Sequence, residues 1–237
     1  MNIAILSDIH GNHIALNAVL KEIRQANVER LLLLGDYVGY YYQPAEVFRL
    51  LEDWPKDMIQ GNHERFLLDF EAGQCLRDEI HRKYGSGLSI AFDELTREQI
   101  HILKKLPASL MCSIDDLNFL LSHGSPQDAD RYIYPDSPKT ELDKIASFNA
   151  DFVLMGHTHH PFVYASKNGT VLLNPGSVGQ PRDVGNLASW CLVNTNSKTI
   201  SMKRTLFDPR VIIDEAKSRD PHLPYLWEVL QRGWYSV

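Results

Sequence analysis

Five short apolar runs in this chain each stop abruptly in a cluster of Gly, His, Asp and Asn. Ile3 to Leu6 ends at Ser7-Asp8-Ile9-His10-Gly11-Asn12, and Arg30 to Leu34 ends at Gly35-Asp36-Tyr37-Val38-Gly39. Asp57 to Gln60 runs into Gly61-Asn62-His63-Glu64, Asn118 to Leu121 into Ser122-His123-Gly124, and Phe152 to Met155 into Gly156-His157-Thr158-His159. Short apolar runs without polar alternation are the pattern of strands buried on both faces. Between the first three lie helical patterns: Ile14, Leu16, Ala18, Val19, Leu20 and Ile23, with Asn12 as N-cap, and then Ala45 to Leu51. Strand, helix, strand, helix, strand predicts βαβ units and a parallel sheet. Ligands of such sheets sit beyond the carboxyl ends of the strands, so the five polar motifs are expected to meet at one site.

Residues 64 to about 106 change character, with many charges and helical periodicity. Thr96-Arg97-Glu98-Gln99 is a capping box opening a helix from Gln99 to Leu106, which Pro107 stops. Ser109 to Ile114 and Asn118 to Ser122 form an expected hairpin across Asp115-Asp116, and a helix is expected from about Thr140 to Phe148. Phe162–Ala165, Thr170–Leu173, Ala188–Asn194 and Thr199–Thr205 read as further short strands separated by turn residues. The 237 residues are read as one α/β domain, 1–237, with two packed sheets and a helical insertion at about 64–106.

Charge narrows the function. The net charge is −6 and no Lys/Arg block exists, so neither nucleic acid nor an anionic membrane is an expected partner. An anionic substrate would then need local positive charge, which a bound metal supplies. Cys75, Cys112 and Cys191 are odd in number and far apart, which excludes a disulfide framework and fits a reducing compartment. The first residues lack a basic n-region and a long apolar stretch, so a cytoplasmic location is expected.

The polar motifs carry metal-ligand chemistry. In Asp8-x-His10 and His157-x-His159, an extended backbone points both side chains to one face. Asp36 offers two oxygens and can bridge two cations. Oxygen and imidazole donors without cysteine suit manganese, iron, cobalt, nickel or zinc, and argue against a purely structural zinc site.

These motifs, in this order, resemble the calcineurin-like metallophosphoesterase superfamily, whose pattern is D-x-H, G-D, G-N-H-E/D, H, G-H-x-H. Asn174-Pro175-Gly176-Ser177-Val178-Gly179-Gln180-Pro181-Arg182 is similar to the small bacterial and archaeal phosphodiesterase-type members. The resemblance implies an αββα sandwich: two packed mixed β-sheets flanked by helices. It implies two divalent metal ions, manganese first among the candidates, with Asp8, His10 and His159 on one, Asn62, His123 and His157 on the other, and Asp36 between. An activated water would attack phosphorus in line, and His63 would stabilise the phosphate or protonate the leaving oxygen. The substrate class implied is a small phosphodiester, phosphomonoester or nucleotide.

The protein-phosphatase branch reads G-D-x-x-D-R-G after the second strand. Here Gly39 and Tyr40 replace its Asp and Arg, which argues against phosphoprotein substrates. A dinucleoside polyphosphate hydrolase is the second reading, and nothing in the sequence excludes it. A non-catalytic scaffold, as in a retromer subunit of the superfamily, is disfavoured because every ligand position and His63 are present.

Asn12, Arg65, Tyr40 and Arg182 are candidate substrate contacts, with Arg182 alternatively in a surface ion pair. Tyr37, Tyr40, Tyr41 and Tyr42 crowd one loop, where they pack or offer faces to a nucleobase. His13, His81, His101 and His222 are read as structural, and His160 as a rim residue. The apolar tail Tyr225, Leu226, Trp227, Val229, Leu230, Trp234 and Tyr235 is expected to dock on the core or on a second copy in a homo-oligomer. The three cysteines are read as buried small hydrophobes.

Overall fold

Each central strand divides its side chains between two cores. In the computed structural model, which describes residues 1–74 and 77–233, the strands are β1 (Asn2–Leu6), β2 (Arg30–Leu33), β3 (Lys56–Met58), β4 (Ser109–Ile114), β5 (Leu117–Ser122), β6 (Phe152–Leu154), β7 (Phe162–Ala165), β8 (Val171–Asn174), β9 (Leu187–Asn194) and β10 (Thr199–Leu206). They form two five-stranded sheets, ordered β10-β9-β1-β2-β3 and β4-β5-β6-β8-β7. In the first, β1, β2 and β3 are parallel and β9 and β10 antiparallel. In the second, β5, β6 and β8 are parallel, with β4 and β7 antiparallel at the edges. Both sheets are mixed, as expected.

The two-residue period of a strand explains the layering. Ile3, Ile5, Leu32 and Leu34 face the second sheet, where Phe119, Leu121, Leu154 and Leu173 meet them. Ala4, Leu6, Leu31 and Leu33 face the opposite way, onto α1 (His13–Gln25) and α2 (Pro44–Leu51). On the far side Leu120, Val153 and Leu172 pack against helical residues Leu142 and Ile145. The result is helix, sheet, sheet, helix.

Four helices, α3 (Asn62–Glu71), α4 (Arg77–Tyr84), α5 (Gly87–Glu94) and α6 (Arg97–Lys105), connect β3 to β4. Thr96 and Gln99 make the expected capping box, although the helix begins at Arg97. The next helix, α7 (Lys139–Ile145), stops three residues short of the expected Phe148. At the C-terminal side, α8 (Arg210–Arg219) buries Ile212 and Ile213, α9 (Tyr225–Glu228) buries Leu226, and the 3-10 turn Val229–Gln231 buries Val229 and Leu230, all in the core on the outer side of the first sheet. The apolar tail therefore docks on its own core. Trp234, Tyr235 and Cys75 lie outside the described residues; Cys191 is buried and Cys112 partly so. Among the described residues no helix is long and apolar enough to cross a membrane.

Candidate metal centre

The loops that follow β1, β2, β5 and β6, with the N-terminus of α3, meet at one end of the two sheets. They place Asp8, His10, Asp36, Asn62, His63, His123, His157 and His159 together, each less than a tenth exposed. Asp8, His10, Asp36, His157 and His159 have φ between 51° and 66°, as does Tyr40 at 54°, so the Asp8-x-His10 and His157-x-His159 pairs are left-handed at each donor and not extended as expected. The left-handed region is uncommon for residues with a side chain, and it turns these donors inward from a chain that has just left its strand.

Three imidazoles are locked in one tautomer. His10 Nδ1 lies 3.2 Å from the Val38 carbonyl, His123 Nδ1 2.7 Å from Leu34, and His159 Nδ1 2.7 Å from Gln180. A carbonyl only accepts, so Nδ1 carries hydrogen and each Nε2 turns inward, the arrangement common to metal-binding histidines. His10 and His159 aim Nε2 at each other at 3.1 Å. His159 Nε2 is 3.3 Å from Asp8 Oδ1, while His123 and His10 stand 3.3 and 3.7 Å from the same Asp36 oxygen, Oδ2. Asn62 Oδ1 is 3.0 Å from His123 Nε2. Asp8 Oδ1 and His157 Nε2 are buried with no hydrogen-bond partner among the described residues. Inward Nε2 atoms facing two carboxylates, with unpartnered polar atoms among them, fit divalent cations, which would displace any proton held there. Asp8, His10 and His159 form one potential ligand group, Asp36, His123 and His157 a second, and His10, Asp36 and His63 a third that shares Asp36.

Electrostatics agree. Burial alone would raise the Asp36 carboxyl, but His123 and His63 outweigh it and hold it well below the carboxylate range. Asp8 is likewise low, against its own burial, because of His159 and His10. Burial would lower His123, yet Asp36 and then Asp8 push it up to about 10. A proton on His123 thus offsets part of the carboxylate charge where a cation would do the same.

His63 stands apart. Its backbone N–H donates to Asp36 Oδ1 at 2.9 Å, and its ring is caged by His10, Tyr40, Tyr84 and Phe66, with centroids 4.6 to 5.8 Å away. Burial pushes it down to about 3 despite Asp36, so the ring is neutral. Its Nδ1 is buried without a hydrogen-bond partner among the described residues. Gly39, at φ +86°, lies against that nitrogen, and a Cβ there would overlap it. The His63 ring thus occupies the place where the protein-phosphatase pattern would start an Asp side chain.

Glu64 is a residue whose role the sequence concealed. Its Oε2 accepts from Asp36 N–H at 2.8 Å and Gly61 N–H at 2.9 Å, and its Oε1 from Tyr37 N–H at 2.7 Å and Val38 N–H at 3.2 Å. One carboxylate ties the Asp36 loop to the start of the helix carrying Asn62 and His63. Burial and Asp36 push this carboxyl up to about 7, against four backbone donors that favour its ionised form. The segment after β8 is a second buttress. Ser177 Oγ donates to Asp8 O at 2.7 Å, and Asn174 Nδ2 to Gly156 O at 2.7 Å.

The four substrate candidates fare differently. Asn12 is fully buried, its Oδ1 accepting from Ala15 N–H at 2.9 Å and its Nδ2 donating to Gly179 O at 2.7 Å. Both ends are used in holding the fold, so it is a cap and not a substrate contact. Arg65 pairs with Asp130. Tyr40 does reach the centre, with its ring packed against both His10 and His63. Arg182 is largely buried and makes no ion pair among the described residues; its neighbour Asp183 takes Arg204, at 2.7 Å. Its Nε has no partner among the described residues, and Tyr225, Tyr40 and Asp8 hold its guanidinium firmly protonated against burial. The tyrosine loop is not a stacking platform. Tyr37, Tyr41 and Tyr42 are almost fully buried, with hydroxyls bonded to Leu33 and Ile59, Leu226 and Asp220 respectively. His81 is ion-paired with the same Asp220 at 2.9 Å, consistent with its structural reading. His160 is half-buried beside Tyr134, at the rim.

The calcineurin-like phosphoesterase superfamily domain matches residues 1–198. The chain belongs to that family. An uncharacterised protein of Methanocaldococcus jannaschii is 32% identical over 224 residues, covering 87% of this chain and 88% of the relative. Among solved structures, a hypothetical protein from Pyrococcus horikoshii aligns with a TM-score of 0.83 at 22% identity, covering 98% of both chains. A metallophosphoesterase from Sphaerobacter thermophilus aligns with a TM-score of 0.76 at 24% identity, over 95% of this chain and 98% of its own. Membership of this phosphoesterase family makes the chain a metal-dependent hydrolase of phosphate esters, and the centre described above carries its candidate ligands.

Proposed function

We propose that this chain hydrolyses small phosphodiesters, phosphomonoesters or nucleotides with two divalent ions, manganese foremost. Asp8, His10 and His159 would hold one ion, Asn62, His123 and His157 the other, and Asp36 both. The observation that carries this reading is Asp36 Oδ2 facing His10 and His123 at once, with the inward nitrogens fixed by backbone carbonyls. Bound divalent ions supply Lewis acidity and a nucleophile from water near neutral pH.

The remaining work falls to the chain itself. Its net charge of −6 makes local cations necessary for an anion to enter. Arg182, protonated and with a free Nε, suits a non-bridging phosphate oxygen. His63, caged and neutral, holds a ring nitrogen toward the Asp36–His10 edge; its ring would donate a hydrogen bond to the phosphate, and only once protonated beside the bound phosphate would it pass a proton to the leaving oxygen. The packing of Gly39 on His63 supports small-molecule esters over phosphoproteins, since no carboxylate orients this histidine.

The test is chelator-stripped protein reloaded with manganese, iron, cobalt, nickel or zinc, assayed on a phosphomonoester, a phosphodiester and nucleotides. Hydrolysis restored by metal supports the reading. Bound metal with no turnover of any ester would overturn it and favour a scaffold.

A further inference from the structure

The segment between β5 and α7 is a braced loop. Ser125 and Asp128 exchange backbone hydrogen bonds at 2.8 and 3.1 Å, and Tyr134 and Ser137 are joined by Ser137 N–H to Tyr134 O at 3.1 Å and Tyr134 N–H to Ser137 Oγ at 2.9 Å. Ile133 is 2% exposed and plugs into the core with Leu142, Ile145 and Met155. Residues two apart in locally extended chain share a face, so burying Ile133 turns Tyr132 and Tyr134 outward together. They are 47% and 37% exposed. Their rings are nearly parallel, 13° apart, with centroids at 6.1 Å.

The position of this pair gives it meaning. The Tyr132 ring lies 4.0 Å from the ring of His157, and Tyr134 lies 5.7 Å from His160. Arg182 bears on Tyr132 electrostatically from the centre. The other exposed large aromatic among the described residues, Phe92, packs on Phe70 in the helical segment. Two rigid aromatic faces left in water beside an ester-hydrolysing centre suit a flat π-system carried close to the phosphate.

We propose that Tyr132 and Tyr134 form a stacking platform for a nucleobase, which makes nucleoside phosphates and their small esters the substrate class; this rests on the phosphoesterase reading above. Every base presents a π-face, so stacking tolerates different bases and favours the larger purines. The net charge of −6 and lack of a basic stripe favour monomeric nucleotides over polynucleotides.

Calorimetry on the manganese-loaded full chain tests this with non-hydrolysable phosphonate analogues of AMP and of ribose 5-phosphate, with adenosine, and with a short single-stranded oligonucleotide. The AMP analogue should bind at least about 10-fold tighter than the ribose analogue, and Tyr132→Ala/Tyr134→Ala should bring the two within about twofold. Tyr132→Phe/Tyr134→Phe keeps both ring faces and should keep the preference. Tyr134→Ala alone, remote from the His157 ring, should reduce it severalfold. Equal binding of the two analogues by the unmodified protein, or a preference that survives loss of both rings, overturns the platform while leaving phosphate recognition intact. If neither analogue binds but adenosine does, in a manner dependent on the two tyrosines, the phosphoesterase reading falls and the platform stands. If adenosine also fails to bind, both fall. An oligonucleotide binding more tightly than the AMP analogue overturns the assignment to monomers.

Discussion

Glu64→Gln isolates the carboxylate that ties two ligand loops together. Gln has nearly the same volume, so no cavity is introduced. Its carbonyl can serve one pair of the four backbone donors, either Tyr37 and Val38 or Asp36 and Gly61. Its amide then faces the other pair, donor against donor. Two buried N–H groups left unpaired at about 1–3 kcal/mol each give a loss of roughly 2–6 kcal/mol. At about 2–4 °C per kcal/mol for a chain of this size, Tm should fall by roughly 4–24 °C. Scanning calorimetry at pH 8, in chelator and then in manganese, measures it. Metal affinity should fall as well, because the displaced donors frame Asp36. Glu71→Gln, which breaks a partly exposed ion pair with Lys104, is the control and should cost at most about 1 kcal/mol. A Tm for Glu64→Gln within about 1 °C of the parent would refute the reasoning, since shifts that small lie below one lost hydrogen bond. It would mean that the carboxyl already carries a proton, which Gln imitates.

In chelated protein, His123 is pushed up to about 10 from an ordinary value near 6.5. Its stabilisation is therefore complete below about 6.5 and lost as pH rises toward 10. Thermal melts should show decreasing stability across that window, and manganese affinity should rise with pH as the metal displaces the proton, by about tenfold per unit for one proton. Asp36→Asn should weaken both metals and abolish turnover, whereas Asp8→Asn should mainly weaken one; metal stoichiometry of the two variants decides, and retention of two tight ions in Asp36→Asn would remove the bridging assignment. His63→Ala should lower kcat by roughly 10²–10⁴-fold with metal content unchanged. Loss of metal in that variant would make His63 a ligand.

The candidate ligands were legible because each lies just past an apolar run, and a parallel sheet delivers such residues to one end whatever the rest of the chain does. Strand edges shifted by a residue or two for a local reason. Ile59 and Gln60 are apolar or neutral enough to read as strand, but their N–H groups bond Leu33 and Pro107 beyond the β3 ladder. Asn12 misled because a helix N-cap and a polar site residue look alike when the helix starts beside the site. Glu64 was visible as an acid next to His63, but its donors include backbone groups up to 28 residues away, which leave no mark in side-chain pattern. Tyr132 and Tyr134 were equally hidden, because only the burial of Ile133 decides which way they turn.

The backbone at Asp8, His10, Asp36, Tyr40, His157 and His159 sits where glycine is at ease and other residues pay about 1–2 kcal/mol each. Any screen that rewards heat resistance alone will therefore find gains at these codons, with Gly or Asn displacing ligands and activity disappearing unnoticed. A descendant relieved of selection for hydrolysis would drift the same way. Loss of chemistry in this lineage should leave a recognisable trace: glycines and asparagines accumulating at the strand ends while the sheets between them stay unchanged.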